Sequence, residues 1–253
     1  MIALITAELI KLRSTRMLGW LLVGTLAIEL MTIAAVVPSP GSTNNPTSLD
    51  DPALLDRMVG VSFLWPQLTV LLLGVLAYTQ EERHGTITST LLVEPRRHRI
   101  LAAKAGALVL ANAVIAIATL AISTAAIVTL VRTRHGNVTF GAEFWQVAIA
   151  AFAVLALSGL IGLAVGALVR NQIVAVTATL IWLTLVEHAL VEALPLVPRW
   201  TPVGATAALL QLGAEATTSG TLLTAPIGGL LLTGYSAAAA AIALVVTPRR
   251  DVL

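Results

Sequence analysis

The sequence predicts an all-α integral membrane protein with six membrane-crossing helices, and three observations carry that prediction. Hydrophobic residues make up 57% of the chain and charged residues 11%, against roughly 25% charge in soluble domains. A soluble fold this apolar would lack the polar surface to cover itself. Six stretches reach the roughly 20 mostly apolar residues that a spanning helix needs. The basic residues also fall unevenly between the alternating sides of those stretches, and that asymmetry sets orientation in a membrane.

Taken in order, Ile2, Ile5, Leu9 and Leu12 recur at helical spacing, with Glu8, Lys11 and Arg13 on other faces. Residues 1–16 therefore read as a short amphipathic helix at the membrane surface. The first span is Met17–Val37. Basic residues precede it, yet it exceeds the roughly 7 to 15 residues of a signal core and reads as a retained helix. Pro38 to Asn45 is an irregular loop, and Asp50-Asp51-Pro52 is a helix start with an acidic cap and proline in the first turn. The second span is Val59–Thr79; the third, Ala105–Val131, is long enough to tilt or protrude. Phe144–Val169 and Ile173–Val191 are the fourth and fifth, joined by a tight hairpin at Arg170-Asn171-Gln172, and Pro226–Val246 is the sixth. Between the last two, residues 192–225 hold Pro195, Pro198, Trp200 and Pro202, then a small-residue run from Gly204 to Gly213. That run is too short to span and too apolar for a free loop, so it reads as a re-entrant or interfacial helix on the outer side.

With the amino terminus inside, cytoplasmic segments carry Lys11, Arg13, Arg16, Arg83, Arg96, Arg97, Arg99, Lys104, Arg170, Arg249 and Arg250. The outside carries Arg57, Arg132, Arg134 and Arg199, a split of 11 to 4 that accounts for all 15 basic residues. Both termini are therefore expected in the cytoplasm.

Much chemistry is excluded. A net charge of +2, scattered along the chain, is no nucleic-acid footprint. Without cysteine there is no disulfide, thiolate metal site or cysteine nucleophile. A Walker loop needs Gly-Lys, but the lysines, Lys11 and Lys104, follow Ile10 and Ala103. No histidine begins His-Glu-x-x-His, and Ser236 misses Gly-x-Ser-x-Gly because Ala238 stands where the second glycine belongs. Neither a catalytic site nor a metal site is expected.

Ionisable groups inside spans are costly and usually have a reason. Glu29 lies well inside the first span, and either lines a transport path or snorkels or hydrogen-bonds between helices. Glu187, His188 and Glu192 cluster near the outer end of the fifth span, as a proton relay or metal pair or as a polar helix end. Ser158, Gly162 and Gly166, with Gly159 beside them, form a small-residue ladder that permits close helix packing.

The most informative stretch joins the second and third spans. Glu81-Glu82-Arg83 is a charged helix exit and Gly85 a stop. Ile87, Leu91 and Leu92 then share one side of a short segment that Pro95 ends. Arg96, Arg97, His98 and Arg99 follow, before Lys104. A short amphipathic helix across the membrane face suits docking to a soluble partner; the alternative is an interfacial helix with topology-setting charges.

Leu73-Gly74-Val75-Leu76-Ala77, Glu81-Glu82-Arg83-x-Gly85-Thr86-Ile87, Leu91-Leu92-x-x-Pro95-Arg96-Arg97-x-Arg99 and Ala102-Ala103-Lys104-Ala105 resemble the type-2 class of ATP-binding-cassette (ABC) transporter permeases. The opening, Glu8-Leu9-x-Lys11-Leu12-Arg13-Ser14-Thr15-Arg16, is similar to small permeases of that class from high-GC Gram-positive bacteria. The resemblance implies an elbow helix before six spans in a bacterial cytoplasmic membrane. Two permease subunits, identical or related, would face each other in the bilayer, bound to two separate ABC ATPase subunits. Those partners would hold ATP and Mg, leaving this chain without a cofactor. Gly85–Pro95 would be the coupling helix, with Glu81, Glu82, Arg83, Gly85, Thr86, Ile87, Leu91, Leu92, Pro95 and Arg96 as the ATPase-coupling residues. Glu29, Glu187 and His188 would be substrate-path candidates, and residues 192–225 the outer re-entrant region. The implied function is ATP-driven export of an amphiphile: an antibiotic, a peptide or a lipid. The Pro-, Ser- and Asn-rich first outer loop departs from the family's pattern. An ion- or proton-coupled secondary transporter and a non-transporting anchor or sensor are the alternatives.

Overall fold

The computed structural model describes residues 1–37, 49, 51–86, 90, 92, 94, 96–169, 171–187, 189–190, 194, 197–212 and 222–246. Every regular element among them is helical. Five helical stretches are long and apolar enough to cross a membrane, and Gln172–Val186 is a shorter apolar helix. The protein is an all-α membrane protein. The fifth expected span corresponds to that shorter helix, and part of it, residues 188 and 191, lies outside the described residues.

Helix α1 is Ile2–Ser14 and α2 is Arg16–Val36, with the extended residue Thr15 between them. The expected second span is two helices, α3 (Leu54–Ser62) and α4 (Leu64–Arg83), broken at Phe63. Pro66 explains the break. It has no N–H to offer the Ser62 carbonyl four residues earlier, and its ring crowds that carbonyl. The Phe63 amide is instead shared between Val59 O and Gly60 O, each at 3.3 Å, and Ser62 Oγ donates to Val59 O at 2.8 Å. Before α3, Asp51 acts as the acidic start, with Oδ1 accepting from the Ala53 amide at 2.9 Å.

Helix α5 runs from Arg97 to Thr133, 37 residues, about 55 Å at 1.5 Å per residue. That exceeds a hydrocarbon core of about 30 Å, so its basic first turns project beyond the apolar stretch expected from Ala105. Helix α6 (Ala142–Val169) and α7 (Gln172–Ile181) form the expected hairpin, where Asn171 Oδ1 caps α7 by accepting from the Val174 amide at 3.1 Å. A π turn, Trp182–Val186, continues α7. Two further helices are α8 (Pro202–Leu209) and α9 (Ala225–Val246).

The centre of the bundle is the α4–α6 pair, and the small-residue ladder is what permits it. A Cβ at Gly74 of α4 would stand 2.7 Å from the Leu163 amide nitrogen, and one at Gly166 of α6 would stand 2.5 Å from the Val75 carbonyl oxygen. Gly162 meets the backbone of Leu71 in the same way. The ladder's partner helix therefore belongs to this chain. Backbone-to-backbone packing locks α4 against α6, and the carboxyl end of α4 leads into the segment after Gly85.

Candidate site at the basic end of the bundle

The carboxyl end of α4, the amino end of α5 and the amphipathic α1 meet in a closed set of charges. Lys104 Nζ stands 2.7 Å from Glu8 Oε2 and 2.8 Å from Glu81 Oε1, and donates to the Ala77 carbonyl at 3.1 Å. Lys11 Nζ stands 2.8 Å from Glu8 Oε1 and 2.7 Å from the same Glu81 oxygen. Two carboxylates and two ammoniums thus alternate around a neutral ring. Glu8, Glu81 and Lys104 are buried, at 7%, 7% and 2% exposure. Burial alone would lower the pKa of Lys11, but hydrogen bonds and charges from Glu8 and Glu81 outweigh it and hold the pKa above its ordinary value.

This ring revises the reading of α1. Ile2, expected on the buried stripe, is 83% exposed, whereas Glu8, expected on another face, is the buried residue of the helix. Glu8 stands three residues after Ile5 and four before Leu12, so it shares their face; the lysines make its burial tolerable. Beside it Ile5 packs close to Gly106 of α5.

Directly beyond the ring, α4 is terminated by Gly85. Its φ of +66° is left-handed, which glycine adopts without Cβ strain. The Thr86 amide donates to Glu81 O at 3.0 Å and the Gly85 amide to Glu82 O at 3.3 Å. This is the Schellman pattern that satisfies the last carbonyls of a helix. Glu81 therefore serves twice: its carboxylate anchors the ring and its carbonyl starts the turn.

The described residues of the segment after Gly85 continue helically. The Thr90 amide donates to Thr86 O at 3.2 Å and the Glu94 amide to Thr90 O at 3.0 Å. Leu92 is 82% exposed, a bare apolar side chain. At the far end, Glu94 Oε2 pairs with Arg99 Nη1 of α5 at 2.8 Å, and Glu94 Oε1 accepts from the Arg96 amide at 3.3 Å. Arg83 Nη1 donates to Gln172 Oε1 at 3.3 Å, reaching the start of α7, and Glu82 is half-buried beside it. Ile87, Leu91 and Pro95 lie outside the described residues. The segment is thus held at both ends and exposes Leu92 between them.

A family model described as ABC-2 family transporter protein matches residues 4–186. The chain belongs to the ABC-2 transporter family. It is accordingly an ABC-type permease, a membrane subunit, and the match contains most of α1, the charge ring, the segment after Gly85 and Glu29. No curated protein matches the chain.

The other candidates lie elsewhere in this ABC-2 permease. Glu29, in α2, is 0% exposed. Glu187 lies just past the matched residues, at the opposite end of the bundle. It is 4% exposed and accepts from Trp182 Nε1 at 3.1 Å and from Thr201 Oγ1 at 2.8 Å. The π turn brings Trp182 and Glu187, five residues apart, to one place. Thr201 in turn caps α8 by accepting from the Gly204 amide at 3.2 Å, and Gln67 Nε2 of α4 donates to Thr206 Oγ1 of α8 at 2.9 Å. Glu187 therefore ties α7 to the short buried helix within the region read as re-entrant. His188 and Glu192 lie outside the described residues.

Sequence reasoning missed Glu8, Lys11 and Lys104 as site residues. The signal was present: an intrahelical Glu8–Lys11 pair on α1, and a lysine within an otherwise apolar run on α5.

Proposed function

We propose that this permease couples to a separate ATPase through the segment from Gly85 to Pro95, and exports an amphiphile such as an antibiotic, a peptide or a lipid. The observation that carries the reading is Leu92, 82% exposed on a segment fixed at both ends. An apolar side chain held out in this way is a docking knob, and a groove on a soluble ATPase is its counterpart. Two ATPase subunits, with ATP and Mg bound there, and a second permease subunit complete the proposed assembly. It sits in the bacterial cytoplasmic membrane with both termini and the charge ring on the cytoplasmic side.

The mechanism follows from the attachments. Nucleotide-driven movement of the ATPase would push on the segment. The cap at Gly85 passes that push to α4, the Glu94–Arg99 pair passes it to α5, and the charge ring makes α1 move with both. Because α4 is packed backbone-to-backbone on α6, the displacement reaches the core as a rigid shift and can open or close a path.

The test is Leu92→Asp, with Ile2→Asp on the exposed side of α1 as a control. Burying one leucine is worth roughly 1.5–3 kcal/mol, so docking should weaken about 10- to 150-fold. A desolvated carboxylate in the groove would add to the loss. ATPase co-purification and ATP-dependent transport should fall in Leu92→Asp and persist in Ile2→Asp. Retention of both in Leu92→Asp would reduce the segment to an interfacial helix.

A further inference from the structure

Among the described residues two buried carboxylates lie outside the charge ring and the Glu187 contacts, Asp56 at 8% exposure and Glu29 at 0%, and Glu29 is the deeper. Neither of its oxygens has a hydrogen-bond partner. An isolated carboxylate in an apolar interior is strongly unfavourable unless it is neutral or finds a cation. Compare Glu81, buried at 7% exposure, which is met by two lysines. The chain pairs a buried acid there, whereas among the described residues no basic side chain pairs with Glu29.

The surroundings say what would pair with it. Thr25, Glu29 and Ile33 follow one another on the buried stripe of α2. Two side-chain clasps join this stretch to α4: Thr25 bonds to Thr69 one turn before Glu29, and Trp65 Nε1 donates to Thr32 at 3.0 Å just after it. On one flank of the stripe a groove of about 360 Å³ opens between α2 and α4, lined by Trp20, Thr25, Ile28, Trp65 and Leu72. On the other flank a groove of about 550 Å³ opens between α2 and α5, lined by Leu30, Ile33, Ala126 and Leu130. Both are apolar, and the first is flanked by two tryptophans.

We propose that Glu29 is the recognition group for a cationic amphiphile, a protonated amine on an apolar body that enters sideways between α2 and α4. The body occupies the groove between α2 and α4. The ammonium is drawn by the indole faces of Trp20 and Trp65, since an aromatic face attracts a cation. It reaches Glu29 when α2 leans away and the two clasps open. A charge-assisted bond to the carboxylate, supplemented by the Thr25 and Thr69 hydroxyls, then replaces the missing counter-charge. One carboxylate with hydroxyl neighbours fits an ammonium, which needs three acceptors. This goes beyond the ATPase reading by naming the substrate class, and rests on it only for the idea of a transport path.

The experiment uses the full chain in nanodiscs without any ATPase, so it stands apart from the docking test. Radiolabelled dodecylammonium is the probe, with dodecanol as the neutral chain-matched competitor. Wild-type protein should show a saturable component that dodecanol does not displace. Glu29→Gln should weaken it at least tenfold, Glu29→Asp should keep a measurable part, and Ile2→Asp should leave it unchanged. A second readout needs no variant. The hydrophobic carboxyl reagent dicyclohexylcarbodiimide should modify Glu29, as mapped by peptide mass, and dodecylammonium should protect it while dodecanol does not. Equal binding in Glu29→Gln, equal competition by dodecanol, or labelling of Glu29 without ammonium protection would overturn the proposal and leave a neutral structural acid.

Discussion

Replacing Lys104 by methionine removes one cation from the charge ring while keeping the length of the side chain. In the wild type its ammonium lies 2.7 Å from Glu8 and 2.8 Å from Glu81, with only 2% of the side chain exposed. Its loss leaves two buried carboxylates facing a single cation, Lys11, whose side chain is 45% exposed. Removing one partner of a buried ion pair costs about 3–5 kcal/mol. At about 2–4 °C per kcal/mol for a chain of this size, the unfolding midpoint should fall by roughly 6–20 °C. Because Lys11 still bridges both carboxylates, the lower half of that range is expected. The assay is thermal unfolding in detergent, followed by size-exclusion chromatography of heated samples. The companion is the cycle with Glu8→Gln. Once Lys104 is gone, neutralising Glu8 relieves a repulsion, so the double variant should be more stable than the sum of the two single losses. A midpoint for Lys104→Met within 2 °C of wild type, or strictly additive losses in the cycle, would refute the ring as a structural clasp.

Three further outcomes follow from the same geometry. Gly85→Ala forces a side chain into the left-handed region at φ +66°, a cost of roughly 1–2 kcal/mol; transport and ATPase co-purification should fall while membrane insertion, read by protease protection, persists. Thr201→Val removes both the α8 cap and the bond to Glu187, so thermal stability should drop by about 1–3 kcal/mol. The native chain has no cysteine, so Gly141→Cys should react with an impermeant maleimide on intact cells and Thr90→Cys should react only after permeabilisation.

The apolar helices, the stop at Gly85 and the hairpin at Asn171 were legible because each is local: a run of apolar residues, a glycine, a polar break between two apolar runs. The break at Phe63 was not anticipated, although Pro66 announces it, because an apolar run hides a missing amide. The charge ring was legible only in pieces. Glu8 and Lys104 lie far apart in the chain, and Lys104 carried an orientation signal that masked its second role. Periodicity alone also misplaced Glu8, since a buried acid is allowed only where distant lysines meet it. Which helix the glycine ladder serves is likewise a long-range fact, settled by the fit of Gly74 against Leu163. For Glu29, its depth within the span was visible in sequence, but its lack of any partner was not.

Docking of an ATPase on the segment after Gly85 can be read with a photo-cross-linker at a single site. With p-benzoylphenylalanine in place of Leu92, irradiation in membranes that also contain the ATPase should yield one adduct whose second component, by mass spectrometry, is a Walker-loop protein. The same probe at Trp145, which is 62% exposed at the opposite end of the bundle, should yield none. Absence of that adduct from position 92, or an equal yield from position 145, would contradict the claim.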